Sequence, residues 1–458
     1  MRTEEIQPKS DLDARHSDGA TLTLTNFAPP DGSIPSYRST ASLDSDNLVS
    51  RRILPPLNVN HEFGFGQSSN NRPDALRPQF FVSPDGDDRN SGSAEHPWRT
   101  IQKGAKSAVP GSVVNVQPGE YHGQVNVQVS GNAQDGYITF RSTVPGKAVL
   151  DLGSESRSSD DKSGFNITGK NFVEVSGFEI KNLKATSADT TPTGVLVDRS
   201  SHIRLNGLDI HHIENNINRN SNAHGISIKG SGQTEDSASR DIVVENNRLH
   251  DLKLGASEAL VVNGNVDNFS INKNVMYRLN NIAIDVAGFE GVSRGALDQP
   301  RNGTVSSNFV SDVDSRGNPA YGRDRSAGGI YVDGGTRINI FGNHVQRANI
   351  GIELASEHGG KDTSLVHVTG NTLVNNTMAG IILGGASRTN GGSFNNVVER
   401  NYLRNNDTDG TGSGEIGFQN NVRVVVVKRN SIVSERGKFF SGSTSNNSVS
   451  ENTLRTSS

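Results

Sequence analysis

The chain contains no cysteine, a single tryptophan and few aromatic residues of any kind, 5% of its 458 residues. Without cysteine there is neither a disulfide framework nor a thiolate metal site. Apolar residues reach only 32%, which is poor for a layered α/β enzyme but sufficient where a thin core repeats along an axis. No apolar stretch approaches the roughly 20 residues that span a bilayer; one of the strongest, Val422 to Val427, is short and broken by Arg423. A charge excess of one sign is missing as well, with 45 Lys plus Arg against 49 Asp plus Glu. No basic run offers a patch for nucleic acid or an anionic membrane. Neither nucleic-acid binding nor membrane insertion is therefore expected, and with no apolar outward column to announce an interface the oligomeric state stays open.

The first 30 residues show no basic segment followed by an apolar core, so no Sec-type signal peptide is visible. A secreted or cell-surface protein exported by another route is expected, with a cytoplasmic location as the alternative. Residues 1–78 are rich in Ser, Asn, Asp, Arg and Pro without a helical or strand period, which predicts a disordered segment. Its apolar islands, Ile53-Leu54 and Phe63-Gly64-Phe65, read as incidental hydrophobes.

Order is predicted from residue 79 to residue 455. Gln79-Phe80-Phe81-Val82 runs into a Pro84-Asp85-Gly86 turn. Trp98, Ile101, Ala105 and Ala108 then recur at helical spacing between Pro97 and Pro110-Gly111, predicting a helix over 98–108 that plugs the first coil of a solenoid. From residue 171 one phrase returns: alternating apolar residues, then Asn, one variable residue, and Leu, Val, Ile or Met. Its Asn positions are Asn206, Asn247, Asn274, Asn308, Asn343, Asn371, Asn401, Asn430 and Asn452, with Ser176 in an earlier copy. A second strand begins at Gly194, Gly225, Gly329, Gly351 and Gly380, typically as Gly-Ile-x-Ile. Short strands at a period of roughly 30 residues, with no helix between them, describe one turn of a parallel β-helix. Asn suits its corner because it tolerates the left-handed conformation and its amide can ladder with the Asn of the next coil. About ten to twelve coils are expected.

The opening strings Phe81-Val82-Ser83-Pro84-Asp85-Gly86, Pro97-Trp98-Arg99-Thr100-Ile101, Pro110-Gly111-Ser112-Val113-Val114-Asn115-Val116 and Pro118-Gly119-Glu120-Tyr121, with the repeat as far as Asn452, resemble the right-handed parallel β-helix proteins of the pectate-lyase-like superfamily. The resemblance implies an all-β, single-stranded right-handed solenoid. It also implies carbohydrate-active chemistry, usually lysis, hydrolysis or epimerisation of acidic polysaccharides, without selecting among them.

Stacking the Gly-Ile-x-Ile strands places Asp198, Lys229, Asn263, Asp285, Asp333, Ala355 and Gly384 in one outward column. Asp285 is then expected beside Asp333, with Lys229 about two coils away. Two carboxylates so placed share a proton, bind a cation or recruit a base. The insertions 287–302 and 311–327 flank these coils and carry Phe289, Glu290, Asp298, Arg301, Asp314, Arg316, Tyr321, Arg323, Asp324 and Arg325. Neighbouring coils add Glu258, one row from His224, Glu353 beside Tyr331, and the turn with Glu357 and His358.

The catalytic candidates are Asp285, Asp333, Lys229 and Tyr331. The substrate-binding candidates are Glu258, Asn263, Glu290, Asp298, Arg301, Tyr321, Arg323, Glu353, Glu357 and His358. As a polysaccharide lyase, the protein would hold Ca²⁺ with Asp285, Asp333 and Glu353 against a uronate carboxylate, while Lys229, Tyr331 or an Arg removes the C5 proton. As a glycoside hydrolase, it would use one acid of the pair as proton donor and the other as nucleophile or base. A third reading is a non-catalytic glycan-binding protein. The lyase is placed slightly ahead, because Lys229, Arg301, Arg316, Arg323 and Arg325 suit a polyanion. Each residue also has a plainer reading. Asp333-Gly334-Gly335 makes a good turn, and Lys229 before Gly230 suits a solvated side chain. His211-His212 and His224 have no metal-ligand spacing to other His or Cys. Gly291-Val292-Ser293-Arg294-Gly295 lacks the strand-turn-helix setting of a nucleophile elbow.

Overall fold

The computed structural model describes residues 76–157, 160–385 and 387–456. The segment predicted to be disordered lies, up to residue 75 and with both apolar islands, outside the described residues. The chain winds as a right-handed parallel β-helix in which successive coils add one strand to each of three sheets. Sheet 1 runs from Gln79–Val82 to Ser448–Ser450, sheet 2 from Gly119–His122 to Thr453–Thr456, and sheet 3 from Val125–Asn126 to Phe440–Ser441. One coil reads Ser201–Asn206, Asp209–Glu214, His224–Gly230 across sheets 1, 2 and 3.

Alternation along each strand sends one set of side chains inward, and parallel register stacks like on like. In sheet 3, Ile226, Leu260, Ile284, Ile330, Ile352, Ile381 and Ile416 follow one another in register, all buried. Sheet 1 shows how tightly such a file is packed. Gly303 sits in register between Phe269 and Ile338, and a Cβ there would lie 2.1 Å from Phe269 Cζ. The phenyl ring occupies the space that a side chain at Gly303 would need.

The helix Ile101–Ser107 is shorter at its start than the predicted 98–108. Thr100 is its N-cap and accepts the Lys103 N–H at 3.1 Å, while Asp88 accepts the Thr100 hydroxyl at 2.7 Å. Trp98 is therefore extended, bridged to Val82 and stacked on Phe80 with ring centroids 4.9 Å apart. Gly104 packs the helix onto Val114 and Phe140 at the N-terminal end of the core. Ahead of the first strand, Arg77 donates to the carbonyls of Gly111, Ser112 and Tyr137.

The Asn ladder forms with one correction. Nδ2 of Asn247 donates to Oδ1 of Asn274 at 2.9 Å, and the bond repeats through Asn308, Asn343, Asn371, Asn401, Asn430 and Asn452 at 2.9–3.0 Å. Asn206 and Ser176 do not belong to it: they pair in register with Glu245, two residues before Asn247, and Leu208 takes the ladder position instead. The left-handed residue is also not the ladder Asn but the one before it, such as Asn246, Lys273, Ser307 and Arg400, at φ 55–56°. The bend is thus taken by a solvent-side residue, and the buried amide that follows it satisfies the backbone groups the bend leaves open.

Candidate active site

Outward side chains of sheet 3 meet in two rows. In one, register pairs Val261 with Asp285, Asp285 with Tyr331, Tyr331 with Glu353, and Glu353 with Ile382. In the other, Asp198, Lys229, Asn263 and Ala287 align, and Asp333 aligns with Ala355 farther on. Asp285 and Asp333 therefore do not share a column. Ile282, Ile284 and Val286 alternate without interruption, and a period of two leaves the phase open by two residues; the core pair proves to be Ile284 and Val286. The two aspartates sit on neighbouring coils, offset by about 4.8 Å across the strands and about 6.6 Å along them. Lys229 is exposed, two coils from Asp285 and three from Asp333.

The outer face of a solenoid sheet ordinarily meets water, yet Asp285 and Asp333 are each 4% exposed, Glu353 7% and Tyr331 2%. Loops from both strand ends cover them. Segments 288–300 and 356–361 leave the C-terminal edge of the sheet and meet: the rings of Phe289 and His358 pack edge to face, His358 Nε2 lies 2.9 Å from Glu290 Oε1, and Lys361 Nζ stands 5.0 Å from the Phe289 ring. Segment 314–327 enters from the other edge, where Tyr321 accepts a hydrogen bond from Asn281 Nδ2 at 3.2 Å. Between them Tyr331 Oη donates to Glu357 Oε1 at 3.4 Å, and the Glu357 N–H donates to Asp333 Oδ1 at 2.9 Å.

Burial pushes the Tyr331 phenol well above its ordinary pKa, and the negative charges of Asp333, Glu357, Glu353 and Asp285 push it further. The hydroxyl is a neutral donor at neutral pH. Its hydrogen bond to Glu290 raises the pKa of His358, against the effect of burial. His224, whose Nδ1 lies 3.0 Å from the Glu258 carbonyl oxygen, is lowered by burial to about 4 and is a neutral imidazole.

Several sequence-predicted residues lie elsewhere. Arg301 opens a strand of sheet 1, where it donates to Asn265 Oδ1 at 3.0 Å and pairs with Asp267. Asp298 organises its own loop, accepting the N–H groups of Gly291 and Ser293 at 2.6 and 3.0 Å. Arg325 is paired with Asp409 and Asp314, Arg316 lies 3.9 Å from Asp314, and Arg323 is exposed. Asn263 stands in the row of Lys229, one coil from Asp285 and diagonal to it, paired in register with Ala287. The sequence reading missed an apolar floor beside the carboxylates: Ile282 with Tyr331 and Ala355, and Ile382 with Ile350 and Ala379. Ile382 had left a signal, because Gly380-Ile381-Ile382-Leu383 puts an apolar residue where alternation calls for a polar one.

Asp333, Glu290 and His358 offer ligand atoms within 4.8 Å of one another. With an imidazole in the set, this differs from the all-oxygen shell typical of Ca²⁺. The predicted trio of Asp285, Asp333 and Glu353 is divided, since Tyr331 stands between Asp285 and Glu353 in the column.

Fold and site together define a right-handed parallel β-helix with a buried cluster of acids on one sheet, and comparison with known proteins agrees on the fold. Residues 80–274 match the Pel9A-like, right-handed β-helix region. The chain is 37% identical over 365 residues to the uncharacterized protein YwoF of Bacillus subtilis (strain 168), covering 79% of this chain and 76% of that one. It belongs to the family of YwoF, within the pectate-lyase-like β-helix superfamily. Among solved structures, the GH136 lacto-N-biosidase from Eubacterium ramulus superposes with a TM-score of 0.62 at 14% identity, over 83% of this chain and 68% of that one. The pectate lyase Pel9A superposes with a TM-score of 0.44 at 16% identity, over 82% and 79%.

Proposed function

We propose that the protein is a glycoside hydrolase whose acid and base are drawn from the carboxylates around Tyr331, with Asp285 and Asp333 as the leading pair and Glu353 beside them. One observation carries this reading: the carboxylates of Asp285, Asp333, Glu353 and Glu357 gather about the buried Tyr331. Crowding of buried acids favours retention of a proton by one of them, the state a general acid needs, while another stays ionised as base or nucleophile. Tyr331 then acts as a hydrogen-bond donor to a carboxylate or a sugar oxygen. A phenol with so high a pKa is a poor base for removing a C5 proton, and Lys229 stands two coils from Asp285, which weighs against β-elimination. Of the arginines expected to grip a polyanion, Arg301, Arg316 and Arg325 are paired with Asp267, Asp314 and Asp409 and Arg323 is exposed, so the sugar at the cleavage point is read as uncharged. The floor of Ile282, Ile350 and Ile382 suits the apolar face of a pyranose.

A second reading, β-elimination from a uronate-containing polysaccharide, is favoured by the Glu290, Asp333 and His358 group, which offers a place for a cation near a substrate carboxylate. One assay separates the two. Neutral and uronic-acid oligosaccharides are incubated with the full-length protein, with and without divalent cations, and both reducing ends and the ultraviolet absorbance of unsaturated products are followed. Reducing ends without absorbance support hydrolysis; a cation-dependent absorbance rise hands the site to the lyase. Asp285→Asn and Asp333→Asn are each expected to lower kcat/KM by about 10²- to 10⁴-fold with unchanged circular dichroism. Full activity in both variants would overturn the assignment.

A further inference from the structure

The face of sheet 2, remote in the coil from the acid cluster, brings together residues that no sequence spacing connects. Strands Asp209–Glu214 and Arg248–Leu252 lie in register so that His211 stacks on His250. The core residues Ile210 and Leu249 beside them point inward, so both imidazoles point out. Their rings are nearly parallel at 4.9 Å, and Tyr277 of the next coil continues the stack at 4.9 Å. Asp209 lies two residues before His211 on its strand, and its Oδ1 is 3.0 Å from His250 Nε2. The ligand atoms of Asp209, His211 and His250 all fall within 4.8 Å of one another. Glu179, one coil earlier, adds Oε1 at 3.4 Å from His211 Nε2.

We infer that Asp209, His211 and His250 form a binding site for a divalent transition-metal ion of the Zn²⁺ class, with Glu179 or water completing the coordination. Two imidazole nitrogens and a carboxylate oxygen make a donor set that suits Zn²⁺, Co²⁺ or Ni²⁺ rather than Ca²⁺ or Mg²⁺. The outer partners point the same way. His250 Nδ1 is 2.6 Å from Asp251 Oδ2, so one ring nitrogen is engaged by a carboxylate while the other faces the site, the arrangement that orients a metal-ligating histidine. Asp251 can reach back to its neighbour because it occupies the left-handed region, at φ 52°, and Arg278 holds its carboxylate at 2.6 and 2.5 Å. Side-chain exposures of 18%, 15% and 13% for Asp209, His211 and His250 leave the group reachable yet sheltered. Arg248 and Lys181 pair with Asp209 and Glu179, so an ion bound here shares those carboxylates with the two cations or displaces them. An ion here would join two adjacent coils and act as a clip on the solenoid.

The test uses the full-length protein stripped with a chelator, titrated with CoCl₂ by visible absorbance and with ZnCl₂ by calorimetry. The expected result is one saturable Co²⁺ site with a d–d band that Zn²⁺ abolishes by displacement. His211→Gln and His250→Gln should lose it, Asp251→Asn should weaken it by about tenfold or more, and His358→Gln, which removes the imidazole of the other candidate group, should leave it intact. No saturable binding, or binding that survives in the His211→Gln/His250→Gln double variant, would overturn the assignment.

Discussion

Glu415 shows what a single side chain does when a polar ladder runs out. Asn376 Nδ2 donates to Asn406 Oδ1 at 2.7 Å, and Asn406 in turn donates from its backbone N–H and Nδ2 to the two carboxylate oxygens of Glu415 at 3.0 and 2.6 Å. The carboxyl is fully buried, and burial pushes its pKa up from 4.5 to about 7 against the effect of those bonds. The folded state therefore holds the Glu415 proton more tightly than the unfolded chain does. The resulting stability is complete below a pH of about 4.5 and is lost as pH rises through about 7. Urea denaturation at about pH 5 and about pH 8 is expected to show a lower midpoint at the higher pH, and Glu415→Gln should flatten that difference. An unchanged slope in the variant would assign the pH dependence to another group. Tyr331 is shifted by the same burial, and under the proposed reading its neutral phenol is a hydrogen-bond donor to the acids around it.

At the scale of the element, the stacked rows set the tolerances. Asn308 holds four bonds at once: it donates to Ile271 O and Asn343 Oδ1 and accepts from the N–H and Nδ2 of Asn274. Asn308→Ala leaves buried partners unmatched in two coils and should cost about 3 kcal/mol, read from equilibrium urea unfolding; a cost near zero would mean that water replaces the amide. Gly303→Val is expected to be at least as damaging for the opposite reason. It forces a side chain into the ring of Phe269, and overpacking of this kind costs about 1–3 kcal/mol or more. Recovery of stability in a Gly303→Val/Phe269→Ala double variant would show that the conflict is that one contact. The elements also place one residue expected to bind substrate away from the acid cluster. Arg301 belongs to a sheet 1 strand, and a residue that opens a strand is oriented by that strand's register, not by the loop before it.

For the whole molecule, a solenoid is held by nearest-neighbour contacts, so protection should follow position along the axis. The strand Gly328–Asp333 is buried on both faces, whereas Thr453–Thr456 at the C-terminal edge is exposed throughout. Hydrogen exchange followed by mass spectrometry should find Gly328–Asp333 among the slowest segments and Thr453–Thr456 among the fastest. Uniform exchange along the axis would indicate a single cooperative unit instead. The site sits where it does because the long loops insert around these central coils, where neighbours on either side supply a rigid floor. No helix among the described residues is long and apolar enough to cross a membrane.

The sequence by itself determined the coil. Alternating apolar residues, the recurrent Asn and the Gly-Ile-x-Ile strands are local signals, and each coil needs only its neighbour to bury them, so the β-helix, its sheet 3 strands and the ladder from Asn247 to Asn452 were legible. It also marked Asp285, Tyr331, Asp333, Glu353, Glu357, Glu290 and His358, because ionisable residues on outward positions and long loops stand out from a structural repeat. Tertiary structure decided the rest. Alternation separates inside from outside but leaves the phase open in steps of two, so only strand pairing could place Asp285 beside Tyr331 and Asp333 diagonally from it. Coil lengths vary, so no spacing rule could bring His250 to His211 or Glu290 to His358. Those meetings depend on which side chains parallel register stacks at roughly 4.8 Å and on which loops fold back over the same coil.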